Sequence, residues 1–455
     1  MRITAAFSRL LALPGVWVRE VRFEPDRVQV TVALRGRRLR CPKCSFSTCH
    51  RESRQHHDSV WRHLDLGVWR LEVHARLRRL RCPEHGALVE GVPFARDGAR
   101  FTRDFEDLVA WLATTTDKTA TCRLVRIDWH TIGRVIVRVG DELLAGSDRL
   151  SDLFEISVDE VAWRKGHRYL TLVGDHRRRC VVWGCEGKGQ AAADQFFAEL
   201  DPEPLAAASQ PGVADTLEVQ PELSAVTEPE DPAEEAPLRI GERAGKLTAV
   251  TMDMGEGYAK SLREHAPQAI ICIDSYHVVA LATKALDEVR RERWNELRAT
   301  GEKHAAKDFK DARWSLLKNP QDLTDRQADT LTALHAAGGT VPRAWAMKEM
   351  VRAIFAPGLS EQTVATLIDR LLARLSRSRL KPFIRLGRTI RKHRHGILAA
   401  RRLKLSNARA EALNNRVKLI VRRAYGFHSA NAALALVHLT CGPVKLTLPH
   451  EQAFA

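Results

Sequence analysis

Three short apolar runs in the middle of the chain are each followed directly by an aspartate. The runs are EISV, LTAVTM and AIICI, and the residues that follow them are Asp159, Asp253 and Asp274. Apolar runs of this length predict buried strands, and the helical patterns between them predict helices packed on a sheet. We therefore expect an α/β core in which several strands end in carboxylates.

Carboxylates at the ends of separate elements predict a magnesium site. Mg²⁺ prefers oxygen ligands, and two ions ~3.5–4 Å apart are held by carboxylates from different parts of a chain. A third acid, Glu411, opens a helical run after the sequence SNARA. We predict that Asp159, Asp253 and Glu411 bind the metal for cleavage and transfer of phosphodiesters, although each acid taken singly is also typical of a cap or a turn.

The second ligand of this site has an alternative. Asp274 begins the motif Asp-Ser-Tyr-His, which ends at His277, and it competes with Asp253 for this role. His277 suits a contact to phosphate or the orientation of a carboxylate, and a purely structural histidine is the alternative. Asn414 lies one turn after Glu411. We therefore keep Asp274, His277 and Asn414 as auxiliary candidates.

Two tight turns near the N-terminus carry ligands suited to zinc. They are Cys41-Pro-Lys-Cys44 and Cys82-Pro-Glu-His85, separated by 37 residues. Such turns place four ligands tetrahedrally around Zn²⁺, and we expect a structural site because no general base accompanies them. The residues between the turns that compete as ligands are Cys49, His50, His56 and His57. Most other cysteines lie singly in apolar runs, which indicates a reducing compartment rather than a disulfide framework.

Residues 101–139 predict three helices. Helical periodicity covers Phe105–Ala113 and Lys118–Val125, and a last helix begins near Trp129 after a short turn. These proportions are typical of a helix-turn-helix, whose final helix enters the major groove of DNA. A three-helix bundle that links two domains is the alternative. The residues expected to face DNA are Arg126, His130 and Arg134.

The formal charge of +16 predicts a polyanionic partner, of which nucleic acid is the commonest. Residues 374–404 contain twelve Lys and Arg residues and no acid. A solvated helical face is the ordinary explanation of such a run, but this one leads directly to Glu411, and we interpret it as a track for DNA. The cations expected on DNA are Lys165, Arg391, Lys392, Arg394, Lys418, Arg422 and Arg423.

Three further features bear on the surface of the protein. Residues 201–237 hold seven prolines and ten acids without Lys or Arg, which predicts a disordered acidic linker and most simply a tolerated insertion. Trp314 lies in a charged helical segment, and we expect it to pack in a core, with stacking on an extruded base as the alternative. No stretch approaches the ~18 consecutive apolar residues that a membrane span requires.

Five long motifs resemble the DDE transposases of the bacterial insertion-sequence family ISL3. They are SVDEVAWRKGHRYLTLVGDH, TMDMGEGY, PQAIICIDSYHVVALATKALDEVRR, ARWSLLKNPQDLT and SNARAEALNNRVKLIVRRAYGFHS, in the order of the family. With CPKC and the helix-turn-helix they cover nearly the whole chain. The sequence departs from the family pattern at His85, where cysteine is common, and in the acidic stretch, which resembles an insertion.

The resemblance implies a fold and a division into domains. The fold is α/β, with an RNase H-like catalytic core that contains a mainly helical insertion, preceded by a small zinc-binding β-rich domain and a helix-turn-helix. The resemblance also implies that Asp159, Asp253 and Glu411 are catalytic. The expected ranges are 1–97 for the zinc-binding domain, 98–148 for the helix-turn-helix, 152–200 and 239–282 for two parts of the core, 201–238 for the acidic insertion, 283–404 for the basic helical insertion, and 405–455 for the last part of the core.

The function predicted from these observations is that of a DNA transposase. With Mg²⁺ or Mn²⁺ it would cut at the terminal inverted repeats of its own element and join the 3′-hydroxyls to target DNA, while Zn²⁺ is structural. Two ends call for at least a homodimer in the active complex, and the expected location is the bacterial cytoplasm, on the nucleoid when bound. The alternatives are a non-catalytic zinc-finger and helix-turn-helix regulator with a degenerate core, and a nuclease without strand transfer.

Overall fold

The computed structural model describes residues 2–202, 240–405, 408–424 and 426–453, with the backbone alone at 408–411 and 452–453. The acidic linker expected over 201–238 therefore lies outside the described residues apart from its first two. In the described part of the chain, no helix has both the length and the apolar character needed to cross a membrane.

The chain is mixed α/β, with a β-rich beginning and a mainly helical second half. The first elements are α1 (Ile3–Leu11), β1 (Val16–Phe23), β2 (Arg27–Leu34), β3 (Leu39–Arg40), β4 (Ser47–Thr48), β5 (His56–Leu66), β6 (Trp69–Cys82), β7 (Gly86–Val89), α2 (Arg103–Thr115), α3 (Lys118–Val125) and α4 (Trp129–Ala145). Then come β8 (Glu155–Arg164), β9 (Arg168–Asp175), β10 (Cys180–Glu186), α5 (Gln190–Leu200), β11 (Ala249–Met252), α6 (Glu256–His265) and β12 (Ile270–Ile273). The rest is helical: α7 (Ser275–Ala299), α8 (Lys303–Asp311), α9 (Arg313–Leu317), α10 (Asp325–Ala337), α11 (Thr340–Ile354), α12 (Glu361–Ser376), α13 (Lys381–Lys392), α14 (Arg394–Arg402), α15 (Ala408–Arg423), α16 (Ala430–Cys441) and α17 (Pro449–Ala453).

Two compact units make up the chain. The first unit comprises Met1–Arg149, Trp163–Lys165 and Arg416–Ala455, and the second unit comprises Leu150–Ala162 and Gly166–Asn415. The first unit thus includes the C-terminal segment, which the sequence-based division assigned to the core. That division into domains remains a proposal.

The sheet of the first unit is built on alternating apolar residues. In β2, which reads RVQVTVAL, the side chains of Val28, Val30 and Val32 are buried, and the intervening residues are half-buried. The strand order is β1-β2-β6-β5, with β7 paired to the end of β6. β2 and β6 are parallel, whereas the other neighbours are antiparallel. Because one face of β2 must be buried, the period of two fixes the register of this sheet.

The three helices that follow this sheet confirm the helix-turn-helix pattern. α3 spans the predicted residues, and α2 and α4 include the predicted ones. Each helix begins after a residue whose side chain accepts a backbone N–H of the first turn, and these caps are Thr102, Asp117 and Asp128. Such caps fix where the helices start.

The C-terminal segment completes the packing of these helices within the first unit. α16 lies against α4, where a Cβ added at Gly140 would be 3.2 Å from the Cβ of Ala435. Arg423 donates hydrogen bonds to the carbonyl oxygens of Thr114 and Thr115, at the C-terminal end of α2. The helix-turn-helix therefore shares its core with residues far along the chain.

The five-stranded sheet of the second unit has the order β10-β9-β8-β11-β12. β9 and β10 are antiparallel, whereas β11 runs parallel to both β8 and β12. The register aligns Ser157, Thr251 and Cys272 in one row across β8, β11 and β12. Asp159, Asp253 and Asp274 stand two positions further along from these residues, beyond the last pair of β8 with β11 and of β11 with β12, and we refer to them as the aspartate row.

The two faces of this sheet are covered differently. On one face Ile156, Val250 and Met252 belong to a core that includes residues of α5 and α6. On the other face Ala399 of α14 packs in a small core with Ala249 and Cys272. Because side chains alternate along a strand, the aspartate row lies on the same face as Cys272, which α14 partly covers.

Asp159 lies inside a strand, and the expectation that it follows one is wrong. β8 continues to Arg164, although its pairing with β11 ends at Ser157. The reason is that β8 has β9 on its other side and continues beside it, whereas β11 is only four residues long. Asp159 thus lies just beyond the point where the parallel pairing stops.

The two ends of the acidic segment are joined by Asp201. Its carboxylate accepts the backbone N–H groups of Arg243 at 2.9 Å and of Ala244 at 2.8 Å. The described residues before and after the segment are therefore hydrogen-bonded to each other directly.

Replacing residues 203–239 with a short Gly/Ser linker is expected to leave the melting temperature within about 2 °C of the natural value, because Asp201 holds the ends and a shorter loop costs less closure entropy. Thermal unfolding followed by circular dichroism is the measurement. Asp201→Ala in the same background is the contrast, and it should lower the melting temperature. A drop of more than about 5 °C in the linker variant alone would show that the segment packs on the core.

Candidate functional site

The aspartate row consists of three carboxylates just beyond the parallel-paired part of the second unit's sheet. Asp159 is near enough to both Asp274 and Asp253 for their charges to act on it. Burial raises the pKa of Asp159, and the charges of Asp274 and Asp253 raise it further, against the opposing effects of the Glu160 backbone N–H and of His277. The row is thus a cluster of repelling carboxylates that a cation would stabilise.

Asp159 is held by two donors. Its Oδ1 accepts the backbone N–H of Glu160 at 2.7 Å, and its Oδ2 accepts a hydrogen bond from the amide of Asn414 on α15. The structure therefore brings together Asp159 and the auxiliary candidate Asn414, across 255 residues of sequence. The side chain of Glu411, three residues before Asn414, lies outside the described residues.

Asp253 and Asp274 differ in what their oxygens already bind. Asp253 is half-buried, and its Oδ1 accepts the N–H of Gly255 at 2.7 Å. Asp274 is 4% exposed, caps α7 by accepting the N–H of Tyr276 at 2.9 Å, and lies 3.5 Å from Nε2 of His277. Asp274 thus has a structural role as a helix cap, and Asp253 has the more accessible carboxylate.

Glu160 lies on the opposite side of the sheet from Asp159. Its Oε1 accepts the hydroxyl of Tyr258 at 2.9 Å, and that hydroxyl also lies 2.9 Å from the hydroxyl of Thr171. The period of two in β8 separates the adjacent acids, so that only Asp159 belongs to the aspartate row.

Two of the three cations predicted to contact DNA at the end of α13 and the start of α14 are already paired. Lys392 binds Glu256 at 2.5 Å and Arg394 binds Asp369 at 3.0 Å, whereas Arg391 is exposed. His393, which the sequence analysis did not single out, has a lowered pKa through burial and the adjacent Lys392, with Glu256 and Asp253 near enough to oppose this. Its position in a basic run gave no signal of that proximity.

A cleft of about 720 Å³ opens beside Asp274 in the second unit. Ser275 and the basic residues Arg402 and Lys404 contribute to its lining, together with an apolar floor from α11, α12 and α14. Its volume falls within the range of about 300–1,000 Å³ that is usual for ligand sites.

Trp314 does not pack in a core, and that expectation is wrong. Its side chain is 55% exposed on α9, with the guanidinium of Arg313 5.0 Å from its ring. The apolar spacing of α9 is satisfied instead by Leu316, which is fully buried. The alternative, stacking on a base, stays a prediction.

The four N-terminal ligand candidates converge in the first unit. Cys41, Cys44, Cys82 and His85 place their ligand atoms within 4.8 Å of one another, and Cys49 and the other competitors are not part of the group. The distances are 3.6 Å between the sulfurs of Cys44 and Cys82, and 3.8 Å from Cys41 Sγ to Nδ1 of His85. These match the edge of a tetrahedron with Zn–S bonds of about 2.3 Å. Burial opposes ionisation of Cys82, but hydrogen bonds from His85 and the backbone lower its pKa to about 6.

The helix-turn-helix residues expected to face DNA have different surroundings. His130 and Arg134 are exposed on α4, and the Arg134 guanidinium donates to the hydroxyl of Thr131 at 2.9 Å. Arg126 is exposed as well, but its guanidinium is engaged within the first unit, where it pairs with Asp65 at 2.5 Å. Its position in the turn before α4 gave no indication of a partner 61 residues away.

The remaining predicted DNA contacts are not equivalent either. Lys165, Lys418 and Arg422 are exposed in the first unit, while Arg423 is half-buried and binds the end of α2. Arg391, Lys392 and Arg394 belong to the second unit. The basic residues therefore do not all belong to a single unit.

Comparison with known proteins supports one family throughout the chain. The model of the DDE family of ISL3, described as "Transposase", matches residues 156–210 and 236–436, and the model described as "Helix-turn-helix domain of transposase family ISL3" matches residues 90–140. The first match omits residues 211–235, which make up most of the acidic stretch.

Among curated relatives, the "Transposase for insertion sequence element IS1557" of Mycobacterium tuberculosis, in strains CDC 1551 / Oshkosh and ATCC 25618 / H37Rv, is 32% identical over 477 residues, covering 99% of this chain and 98% of the relative. The "Transposase for insertion sequence element IS1001" of Bordetella parapertussis is 26% identical over 387 residues, covering 83% of this chain and 84% of the relative. The chain belongs to the ISL3 family of insertion-sequence transposases.

Proposed function

We propose that this transposase cuts DNA at the ends of its own element and joins the 3′-hydroxyls to target DNA, with Asp159, Asp253 and Glu411 as the metal-binding residues. The observation that carries the proposal is the placement of Asp159, Asp253 and Asp274 two residues beyond the aligned Ser157, Thr251 and Cys272, with Asn414 of α15 bonded to Asp159. The strand order, with an antiparallel hairpin extended by two parallel strands, is consistent with an RNase H-like core.

The donor set of this site fits Mg²⁺ or Mn²⁺, because it consists of carboxylate oxygens. When bound, such ions supply activation of the attacking water or 3′-hydroxyl and stabilisation of the leaving oxygen. Asn414 orients Asp159 through its amide, and residues three apart on a helix share one face, which supports Glu411 as the third ligand. Asp253 is favoured over Asp274 as the second ligand because Asp274 already caps α7.

The first unit supplies the proposed recognition of the element ends. Exposed His130 and Arg134 on α4 are suited to contact base edges, and the cluster of three cysteines and His85 fits a structural Zn²⁺ with no open position. Contacts to phosphates rather than bases suit the exposed cations of the first unit, which are Lys165, Lys418 and Arg422. Arg391 of the second unit is suited to the same role. Since two ends react together, the active complex is proposed to be at least a homodimer.

Arg134→Ala is expected to weaken binding to element-end DNA by about 1–3 kcal/mol and to leave binding to unrelated DNA almost unchanged, because a base contact carries the specificity. Fluorescence anisotropy at fixed salt measures both affinities. Arg123→Ala, at another exposed cation on α3, is the control and should preserve the ratio of the two affinities. An unchanged ratio in Arg134→Ala would remove α4 from base recognition.

The DNA that flanks the gene, in which we expect inverted repeats, provides the substrate for the functional test. The protein is expected to select these repeats and, with Mg²⁺, to cut at their boundaries. A non-catalytic regulator with a degenerate core would bind the repeats without cutting them. A nuclease without transfer activity would cut them and yield no joined product.

A further inference from the structure

The hairpin of β5 and β6 ends in an exposed apolar tip. Leu66 pairs with Trp69, so the turn consists of Gly67 and Val68 alone. Gly67 has a φ of +63°, as the first central residue of a type II′ turn requires. The side chain of Val68 is 75% exposed and that of Trp69 is 45% exposed. Solvent-facing apolar groups on a tight and well-defined turn indicate a surface that a partner covers.

Arg126 fixes this tip to the turn that precedes α4. Its guanidinium donates to the carbonyl oxygen of Val68 at 3.2 Å and pairs with Asp65 at 2.5 Å. Arg62 donates to both oxygens of Asp65 at 3.1 Å and to the carbonyl oxygen of Arg126 at 3.1 Å. These bonds stabilise the φ of +55° at Arg126, a conformation that residues other than glycine adopt infrequently.

The hydrogen bonds of Arg62 and Arg126 hold the tip at a fixed distance from α4, the recognition helix. Arg126 is separated from Trp129, the first residue of α4, by only two residues, and all of these groups belong to the first unit. The tip is therefore continuous with the DNA-reading surface. The register shift in β5 between His63 and Leu66 changes the direction of the end of the strand. Bulges that bend a strand in this way are frequent beside functional surfaces.

We propose that the tip of this hairpin enters the minor groove next to the major groove that α4 enters, with Val68 and Trp69 as an apolar wedge. The inference rests on the proposed function, because DNA held by α4 is the surface that the tip meets. Apolar side chains that insert at base steps are a known means of kinking DNA by about 20–90°. Exposed Arg70, directly after Trp69, is placed to contact the adjacent phosphate.

The occupant is DNA rather than a second protein because of what surrounds the tip. The tip is bonded to Arg126, in the turn that precedes α4, and the exposed cation Arg70 follows it directly. Asp65, the acid beside it, is neutralised by Arg62 and Arg126. An apolar wedge followed by an exposed cation complements a groove bordered by phosphates.

The test uses the full-length chain with Val68→Ser and Trp69→Ser combined, on DNA that carries an element end. Compared with the natural protein, the double variant is expected to bind about tenfold more weakly and to lose most of the DNA bend in a circular-permutation assay. Hydroxyl-radical protection is expected to disappear beside the α4 site and to persist at that site. Val60→Ser, at an exposed apolar residue of β5 away from the tip, is the control and should behave as the natural protein.

Asp65→Ala is a second variant, which keeps Val68 and Trp69 but removes the carboxylate that Arg62 and Arg126 bind. The Asp65→Ala protein is expected to lose the DNA bend as well. The unfolding temperature of the Val68→Ser/Trp69→Ser protein is expected to stay at the natural value, which shows that the double variant folds. If the double variant binds and bends end DNA as the natural protein does, the wedge is wrong although end recognition stands. If it instead changes the oligomeric state without DNA, the tip is a protein–protein contact. A natural protein with no preference for end DNA overturns the proposed function and this inference together.

Discussion

Asp159→Asn is expected to lower Mg²⁺-dependent cleavage at the element ends by at least about 10³-fold. The substitution removes a charge from the pair of carboxylates that adjacent strands bring together, and the lost metal stabilisation of several kcal/mol corresponds to about one factor of ten per 1.36 kcal/mol. Asparagine keeps the size of the side chain, so binding of end DNA should persist. Single-turnover cleavage of end-labelled DNA, with binding measured in parallel, separates the two effects.

Glu160→Gln is the matched control for that variant. Glu160 is the next residue, carries the same charge and accepts the hydroxyl of Tyr258 on the other face of the sheet. Its cleavage rate is expected to stay within about threefold of the natural rate, in line with a change of about 0.5 kcal/mol. Equal losses in both variants would point to a general electrostatic effect, and an active Asp159→Asn protein would remove Asp159 from the site.

Cys82→Ser is expected to abolish zinc binding and, with it, recognition of the element ends. Apparent binding free energies of structural zinc are about 10–16 kcal/mol, which is comparable with the whole stability of about 5–15 kcal/mol of an ordinary domain. Cys82 lies at the centre of the cluster, 3.6 Å from both Cys44 Sγ and Nδ1 of His85. Zinc content, thermal unfolding and end binding of the full-length protein should all fall, and strong chelators should reproduce the effect.

Cys49→Ser controls for the loss of a thiol outside the cluster. Cys49 is exposed, and its replacement by serine is expected to leave zinc content and end binding unchanged. A Cys82→Ser protein that unfolds at the natural temperature would show that the four residues have no structural metal.

Features that depend on local sequence were predictable here. The helix Lys118–Val125 is correct to the residue because capping by Asp117 and apolar periodicity act within one or two turns. The two knuckles were recognisable because each holds a pair of ligands within four residues. Asp253 and Asp274 could be grouped because β11 and β12 are short strands that end at the same edge of a sheet, whereas Asp159 lies inside β8. Chain spacing alone did not distinguish Asp253 from Asp274 as the second ligand.

Features that depend on distant partners were not predictable. The sequence predicted that Arg126 faces DNA, because its partner Asp65 lies on a different element, β5. Trp314 follows an apolar spacing, but Leu316 occupies the buried position on α9. The end of β8 was misplaced because the extension of one strand beyond its neighbour depends on the pairing of both. Each of these errors concerns a tertiary contact that overrides a local preference.

Strand joining with a pre-cut end tests the central claim most directly. The full-length protein is incubated with Mg²⁺, supercoiled plasmid and a short duplex that carries the element's inverted repeat with a free 3′-hydroxyl. The account predicts a covalent product between the 3′-hydroxyl and plasmid DNA, present with the natural protein and with Glu160→Gln, and absent without divalent metal or with Asp159→Asn, Asp253→Asn or Glu411→Gln. A joined product that survives in all three of these variants, or a natural protein that binds the repeat and never joins it, would contradict the account.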